Sequence, residues 1–178
     1  MTVTINNRTT VFQVNLFRLD TENVTLDNGV QTDVHVLRHP GAAAIVPFLD
    51  DDTLVLVKQY RHAIGGYIWE IPAGTLDAVD EAPLECAKRE LIEETGYRGT
   101  NFEKLGTIVP APGYSDERLH IFTASGLTPA TQNLEADEVL KVHKVAFADA
   151  MTMIRTNDIS DAKTIAGLHL AADFVRGF

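Results

Sequence analysis

Three glutamates near the middle of the chain have the spacing of one helix face: Glu90, Glu93 and Glu94. Residues three and four positions apart are neighbours on a helix surface, so these carboxylates repel one another. The carboxyl end of a helix carries partial negative charge, which disfavours them further. Most charged runs form solvated faces, and Lys88 and Arg89 can offset part of the repulsion. The cluster is therefore either an ordinary acidic surface or a site that binds cations.

The segment before this helix favours a cation site. A strand-like run, YIWEIPAG at residues 67–74, is followed by a loop and then by the helix, so the acids are expected to face the loop. Carboxylate oxygens suit Mg²⁺ or Mn²⁺, which bind through a few carboxylates together with substrate phosphates. In a chain with a formal net charge of −10, bound cations would also bridge to an anionic substrate. We therefore expect Mg²⁺ (or Mn²⁺) as the cofactor.

The helix that carries the acids is expected to begin near Pro83 and to end at Gly96. Proline suits the first helical position because it has no N–H group to leave unpaired, and glycine tolerates the left-handed conformation at which many helices end. Either Asp80 or Glu81 is expected near its cap. The apolar residues whose helical spacing predicts a buried face are Leu84, Ala87 and Leu91.

Strands are expected on both sides of this helix. Residues 11–19, 21–30 and 31–38 are strand-like and are separated by turn residues, which predicts a small antiparallel unit. Further strand-like runs are residues 42–49, 53–60, 104–109, 118–125 and 139–147, and helical runs are roughly residues 148–156 and 161–176. This order predicts an α+β fold with α/β/α layers. We divide the chain into an N-terminal antiparallel β unit, residues 1–40, and a main domain, residues 41–178.

Composition restricts the class of protein. With 45% hydrophobic residues among 178, the chain can bury a full core. Its net negative charge argues against nucleic acid or a membrane surface as partners. The single cysteine, Cys86, excludes an intrachain disulfide framework and is more simply a small buried residue than a nucleophile. Because no apolar run reaches the roughly 18 residues of a membrane span and no leader pattern is present, we expect a cytoplasmic location.

The stretch from Gly74 to Tyr97 resembles the Nudix box, usually written G-x5-E-x7-R-E-U-x-E-E-x-G-U, with U a bulky apolar residue. The matching residues are Gly74, Glu81, Arg89, Glu90, Leu91, Glu93, Glu94, Gly96 and Tyr97. Six residues rather than five separate Gly74 from Glu81, so either Asp80 or Glu81 can fill the early acidic position. The extra residue falls in a loop, where an insertion costs little. By this resemblance the chain is identified as a member of the Nudix hydrolase family.

The resemblance implies a role for each matching residue. The metal ligands that it implies are the side chains of Glu90, Glu93 and Glu94 and the backbone carbonyl of Ala73. Two or three bound ions would activate a water molecule that attacks one phosphorus in line. Arg89 would orient a glutamate. Relatives carry the general base on a mobile loop after the box, and the matching segment here offers Glu138 and Glu135.

Three features outside the box resemble the branch that hydrolyses ADP-ribose and other nucleoside diphosphate sugars. The run KQYRHAIGGYIWEIPAG contains Arg61 and Glu70, and in this branch the arginine approaches the diphosphate. The run APGYSDE contains Pro112 and Glu117, which are candidates for supporting substrate or metal. The run RHPGA contains Arg38 and resembles the junction at which these enzymes exchange N-terminal sheets across a two-fold homodimer. We take these five residues as candidate substrate-binding residues.

The resemblance therefore implies hydrolysis of ADP-ribose, with AMP and ribose 5-phosphate as products. The base preference stays open, because QTDVHV offers no aromatic residue besides His35, with Phe12 or Phe17 as substitutes. GDP- and UDP-sugars are therefore retained as substrates. Two rival interpretations are a Nudix hydrolase of dinucleoside polyphosphates, nucleoside triphosphates or capped RNA, and a non-catalytic Nudix module that senses nucleotides.

Overall fold

The computed structural model describes residues 2–76 and 81–175. Its strands are β1 (Thr4–Gln13), β2 (Arg18–Thr25), β3 (Gln31–Arg38), β4 (Ala42–Pro47), β5 (Thr53–Arg61), β6 (Gly66–Glu70), β7 (Ala73–Thr75), β8 (Tyr97–Arg98), β9 (Asn101–Ile108), β10 (Leu119–Ser125), β11 (Thr128–Pro129) and β12 (Leu140–Ala146). Its helices are α1 (Pro83–Thr95), α2 (Phe147–Arg155) and α3 (Ala162–Val175). Within the described ranges no helix combines the length and the apolar content needed to cross a membrane.

A mixed sheet in the order β7-β4-β10-β9 lies at the centre of the molecule. Its strands β4 and β10 run parallel, and every residue of β4 is buried, which explains the uninterrupted apolar run at residues 42–47. Successive side chains of a strand point to opposite faces. Ile45 accordingly shares a core cluster with Leu91 of α1, while Val46 shares another with Leu168 of α3. Helices thus cover both faces, and the predicted α+β fold with α/β/α layers is confirmed.

A second sheet, in the order β12-β5-β6, is antiparallel throughout. Residues that are paired directly across two antiparallel strands project from the same face. In the register of β5 with β6, Val57 is opposite Glu70, Gln59 is opposite Ile68 and Arg61 is opposite Gly66. The side chains of Gln59, Arg61 and Glu70 therefore share one face of this sheet.

The N-terminal strands form a separate antiparallel sheet in the order β1-β2-β3, as the sequence predicts for this region. Every residue of β1 is exposed. The sheet is joined to the rest of the chain through Leu37, whose N–H donates to the carbonyl of Tyr114 at 2.7 Å. The carbonyl of Leu37 in turn accepts from the N–H of Asp116 at 3.2 Å. The division at residue 40 and the exchange of this sheet between subunits stay predictions.

A buried acid on β2, Glu22, is held by one arginine from each neighbouring strand. Glu22 accepts hydrogen bonds from Arg8 Nε and Arg38 Nη2, both at 2.5 Å. Arg38 Nη1 also donates to Asp116 Oδ2 at 2.9 Å, so this arginine joins the N-terminal sheet to the segment before β10. The hydrogen bond from Arg38 and the nearby charge of Arg8 hold the pKa of Glu22 below its usual value, although burial opposes them.

Acid is expected to loosen the N-terminal sheet. A carboxyl whose pKa is lowered by folding contributes stability above its unfolded value, 4.5 for glutamate, and loses it as the pH falls through the folded pKa. Amide hydrogen exchange should therefore show that the protection factors in β2 decline when the pH is lowered from about 6 to about 3. Glu22→Gln should lower protection already at pH 6, and Glu103→Gln, at an exposed position of β9, should not. A Glu22→Gln protein with unchanged protection would contradict the expectation.

The structure differs from the sequence predictions at several boundaries. The predicted strand 11–19 is wrong, because the chain turns between Val14 and Phe17, whose N–H and carbonyl are bonded at 2.9 Å. The cap residue of α1 is Ala82, without a side-chain hydrogen bond, so Glu81 lies next to the cap, as predicted, but does not itself cap the helix. Asp80 and the predicted helix end at residue 176 lie outside the described residues. At the other end of α1, Gly96 is left-handed (φ 70°), as predicted.

Candidate active site

A cavity of about 690 Å³ lies between α1, the central sheet and the loop before β12. The predicted site residues that line it are Arg61, Ala73, Arg89, Glu90, Glu93, Glu94, Glu117, Glu135 and Glu138. Glu70 is bonded to Arg61 at the cavity wall. Arg38 and Pro112 are not among the lining residues. The structure therefore brings most of the predicted residues together, from segments far apart in the chain.

The three acids of α1 all line the floor of this cavity. Glu94 is 1% exposed and Glu90 is 7% exposed. Burial raises the pKa of Glu90 to about 7, since the charges of Glu93 and Glu138 add to the effect and the ion pair with Arg89 only partly opposes it. Burial and the charge of Glu90 raise the pKa of Glu94 to about 8. Buried like charges of this kind are costly without cations beside them.

Arg89 is a cation that two of these acids, Glu90 and Glu93, contact. Its Nη1 donates to Glu90 Oε1 at 2.6 Å and to Glu93 Oε2 at 3.1 Å. Its Nε and Nη2 donate to the two carboxylate oxygens of Glu81 at 3.1 and 3.2 Å, and Nη2 also donates to the carbonyl of Thr75 at 3.1 Å. Glu81 thus pairs with Arg89, while Asp80, the other candidate for the early acidic position, lies outside the described residues. Arg89 therefore lies beside the glutamates that it is predicted to orient, and the orienting role itself stays a prediction.

The hydrogen bonds of Glu90, Glu93 and Glu94 within the protein determine whether these residues can bind a metal ion as they stand. Within residues 2–76 and 81–175, no three Asp, Glu, His or Cys side chains are already gathered around one metal position. The cause is local, because Arg89 occupies the carboxylates of Glu90 and Glu93, and Glu94 Oε2 accepts the N–H of Ala73 at 3.1 Å. The ligand atoms are nevertheless those that a hard divalent cation prefers, since they are carboxylate oxygens grouped in a negatively charged part of the cavity. These residues therefore fit a divalent metal once Glu90 and Glu93 turn from Arg89.

The absence of a side chain at Gly74 makes room for one of these acids. A Cβ atom at this position would overlap the carboxylate of Glu90. Gly74→Ala is therefore expected to displace Glu90 and to raise the metal concentration needed for half-maximal activity by about tenfold or more, within the range for altered metal-site geometry. The measurement is activity against Mg²⁺ concentration. Gly66→Ala is the control, because its Cβ would meet nothing within 4 Å, and equal Mg²⁺ dependence in both variants would contradict the expectation.

Another part of the cavity wall carries cations held by a buried carboxylate. Arg61 Nε and Nη2 donate to Glu70 Oε1 and Oε2 at 2.8 and 2.6 Å. Lys163, at the start of α3, donates from Nζ to Glu70 Oε2 at 2.6 Å and to Asp161 Oδ2 at 3.0 Å. Burial alone would raise the pKa of Glu70, but the hydrogen bond from Arg61 and the charge of Lys163 outweigh it and lower that pKa. Glu70 is therefore ionised and holds two cations at the cavity.

The loop before β12 places a carboxylate near the acids of α1. The charge of Glu138 raises the pKa of both Glu90 and Glu94, so its carboxylate lies within electrostatic range of the floor of the cavity. Glu138 Oε2 accepts the backbone N–H of Glu135 at 2.9 Å, which fixes the carboxylate within its own loop. The two glutamates that the sequence leaves as alternative general bases thus differ in their surroundings. The charge of Glu138 acts on Glu90 and Glu94, two of the residues predicted to bind metal.

Several residues of the cavity were missed in the sequence. The additional lining residues that matter here are Asn15, Leu16, His39, Gln59 and Lys163. Gln59 is 4% exposed, and its Oε1 has no hydrogen-bond partner within the described part of the chain. Its position two residues before Arg61 on a strand is a signal that could have found it. Lys163 had no such signal, because only the tertiary fold brings α3 to Glu70.

Comparison with known proteins gives a consistent result. The Nudix domain family model matches residues 38–168. An ADP-ribose pyrophosphatase from Bacillus subtilis is 35% identical over 156 residues, covering 86% of this chain and 84% of that protein. A GDP-mannose pyrophosphatase from Cronobacter sakazakii is 32% identical over 160 residues, covering 80% and 82%. A crystal structure of an ADP compounds hydrolase superposes with a TM-score of 0.87 at 26% identity, covering 99% of this chain and 96% of that one.

The chain belongs to the Nudix family, because the family model matches more than half of its 178 residues. The resemblance of residues 74–97 to the Nudix box is thereby confirmed. The protein is an enzyme of the pyrophosphohydrolase class, as predicted. Members of this family generally use divalent metal ions, which agrees with the acidic floor of the cavity.

Proposed function

We propose that this enzyme hydrolyses the diphosphate of nucleoside diphosphate sugars, with ADP-ribose as its first substrate. One observation carries the proposal: one cavity is lined by the carboxylates of α1, by Arg61 and by Glu138. That arrangement suits a dianionic diphosphate between metal ions on one side and a guanidinium on the other. The names of the ADP-ribose pyrophosphatase and the ADP compounds hydrolase support the choice of substrate.

The cofactor in this proposal is Mg²⁺ (or Mn²⁺). The groups that would hold it are the carboxylates of Glu90, Glu93 and Glu94 and the backbone carbonyl of Ala73. When bound, the cations neutralise the diphosphate and make water a better nucleophile. Arg89 would keep its bonds to Glu81 and Thr75 while Glu90 and Glu93 turn toward the metal. The arginine then holds the start of α1 against β7 and thereby positions the acids.

The protein groups perform the remaining steps. Arg61 bonds diphosphate oxygens through Nη1, which has no hydrogen-bond partner within residues 2–76 and 81–175, because Nε and Nη2 are held by Glu70. Glu138 accepts a proton from the attacking water while the oxygen of that water bonds to one phosphorus. The bond between this phosphorus and the bridging oxygen breaks, and the leaving phosphate keeps the electron pair of the broken bond. With ADP-ribose the products are AMP and ribose 5-phosphate.

Substrate preference and assembly are further parts of the proposal. GDP-mannose is a second candidate substrate, because the relative from Cronobacter sakazakii is named for it.

A homodimer is supported by apolar side chains that β1 leaves exposed, including Val11 and Phe12. Asn15 and Leu16 line the cavity, so movement of the N-terminal sheet on dimerisation would alter its entrance. The cytoplasmic location stays a prediction.

A hydrolysis panel tests this function. The protein is incubated with Mg²⁺ and, separately, with ADP-ribose, GDP-mannose, UDP-glucose, a diadenosine polyphosphate, capped RNA and a nucleoside triphosphate. We expect the highest kcat/KM among the nucleoside diphosphate sugars and no turnover after chelation of the metal. A preference for the triphosphate, the dinucleotide or the capped RNA would contradict the proposal. Binding of ADP-ribose without turnover of any compound would instead favour a nucleotide-sensing module.

A further inference from the structure

Lys163 is a cation of the cavity wall that the proposed reaction does not yet use. Its side chain is 14% exposed, and it is held between two carboxylates, Glu70 at 2.6 Å and Asp161 at 3.0 Å. Glu70 in turn grips Arg61 through both carboxylate oxygens. The four residues form one chain of ion pairs that begins at the first turn of α3 and ends at the cavity.

The charges of this chain explain what Lys163 adds. Glu70 is almost fully buried, and a buried carboxylate with one partner would share all of its charge with that partner. With Arg61 as its sole partner, the Glu70 carboxylate would be held from one side only. Lys163 holds Oε2 from a second side, and Asp161 balances the charge of Lys163, so the four groups together are neutral. Lys163 therefore fixes the carboxylate that orients Arg61.

The outer end of the chain is fixed by the helix. Asp161 Oδ2 accepts the backbone N–H of Thr164 at 2.9 Å and its hydroxyl at 2.6 Å, as capping residues do. Thr164 Oγ1 also accepts the N–H of Ile71 at 2.8 Å, which attaches α3 to the strand segment before the Nudix box. The structural link between α3 and that segment thus runs through Asp161 and Thr164. Lys163 bonds the same oxygen of Asp161 and adds a separate contact to Glu70.

We infer that Lys163 is a positioning residue, which holds Glu70 so that Arg61 presents its guanidinium to the diphosphate of the substrate in a fixed orientation. This inference rests on the proposed function. It assigns Lys163 a contribution that passes through Arg61, so the two residues should be strongly coupled. A purely structural role would affect both backgrounds, with and without Arg61, by the same factor.

A double-mutant cycle tests the inference. Lys163→Met, Arg61→Ala and the double variant are assayed with ADP-ribose and Mg²⁺. We expect Lys163→Met to lower kcat/KM by about tenfold, mostly through KM, and to have less than about a threefold effect when Arg61 is already Ala. Lys163→Arg should restore much of the loss. Lys144→Met, an exposed lysine on β12, is the matched control and should leave both constants unchanged.

Two results would overturn the inference: a Lys163→Met protein with wild-type constants, or an equal loss in both Arg61 backgrounds. Thermal unfolding of each variant shows whether a loss comes from unfolding, and Lys163→Arg supplies a second variant for the cycle. The same cycle is also read in the dissociation constant of ADP-ribose. If the wild-type protein binds ADP-ribose without hydrolysing it, the proposed function fails while the coupling between Lys163 and Arg61 is still tested.

Discussion

Glu94→Gln is expected to lower kcat with ADP-ribose and Mg²⁺ by about 10³-fold, and Glu93→Gln by a comparable factor. Each substitution replaces a charged oxygen ligand by a neutral amide at the floor of the cavity. Bound metal ions contribute several kcal/mol of transition-state stabilisation, and 1.4 kcal/mol corresponds to a factor of ten in rate. The fold should survive, because the substitution at the buried position of Glu94 removes one of the repelling charges.

The control for these variants is Glu85→Gln. Glu85 belongs to the same helix but is exposed and paired with Lys88 at 2.8 Å, so its loss should change kcat by less than about twofold. Activity is measured against Mg²⁺ concentration for all three variants. Full activity with unchanged Mg²⁺ dependence in both Glu93→Gln and Glu94→Gln would contradict a metal site on α1.

Glu138→Gln is expected to lower kcat by about 10²-fold or more, since a general base contributes about 10² to 10⁴. Glu135→Gln should stay within about threefold of the wild-type value, because Glu135 supports the loop with its backbone N–H rather than with its carboxylate. The two variants are each other's control, as they differ by three positions in one loop. The measurement is single-turnover hydrolysis, which separates chemistry from product release.

Two outcomes would contradict this assignment of the base. If neither variant lowers kcat by at least about tenfold, the base is not on this loop. If Glu135→Gln is the damaging substitution, the loop carries the base but its conformation changes when substrate binds. In that case the hydrogen bond between the N–H of Glu135 and Glu138 would have to break in the complex.

Local patterns in the sequence predict the catalytic helix well. The spacing of Glu90, Glu93 and Glu94 requires one helix face, and the glycine at position 96 ends that helix in the left-handed conformation. The strand runs at residues 42–49 and 53–60 contain β4 and most of β5, because both are buried apolar segments bounded by turns. These features depend on short-range periodicity, which a single sequence contains.

Features that depend on tertiary contacts were missed or placed differently. Arg38 was predicted to bind substrate, but in the structure Glu22 and Asp116 take its guanidinium, and those partners lie 16 and 78 residues away. Lys163 reaches Glu70 across 93 residues. The turn at residues 14–17 interrupts a run that the sequence presents as one strand. Because β1 is exposed along its whole length, its sequence has no alternation of apolar and polar residues that would show where the strand ends. Patterns of local residue spacing cannot predict contacts between residues this far apart in the sequence.

The central claim is that this chain cleaves the diphosphate of a nucleoside diphosphate sugar with the help of divalent metal ions on α1. The most direct test follows ADP-ribose by phosphorus NMR in the presence of the wild-type protein and Mg²⁺. The account predicts conversion to AMP and ribose 5-phosphate, abolished by chelation and at least about 10³-fold slower with Glu94→Gln. Unchanged ADP-ribose, GDP-mannose and UDP-glucose in the presence of Mg²⁺ and folded protein would contradict it.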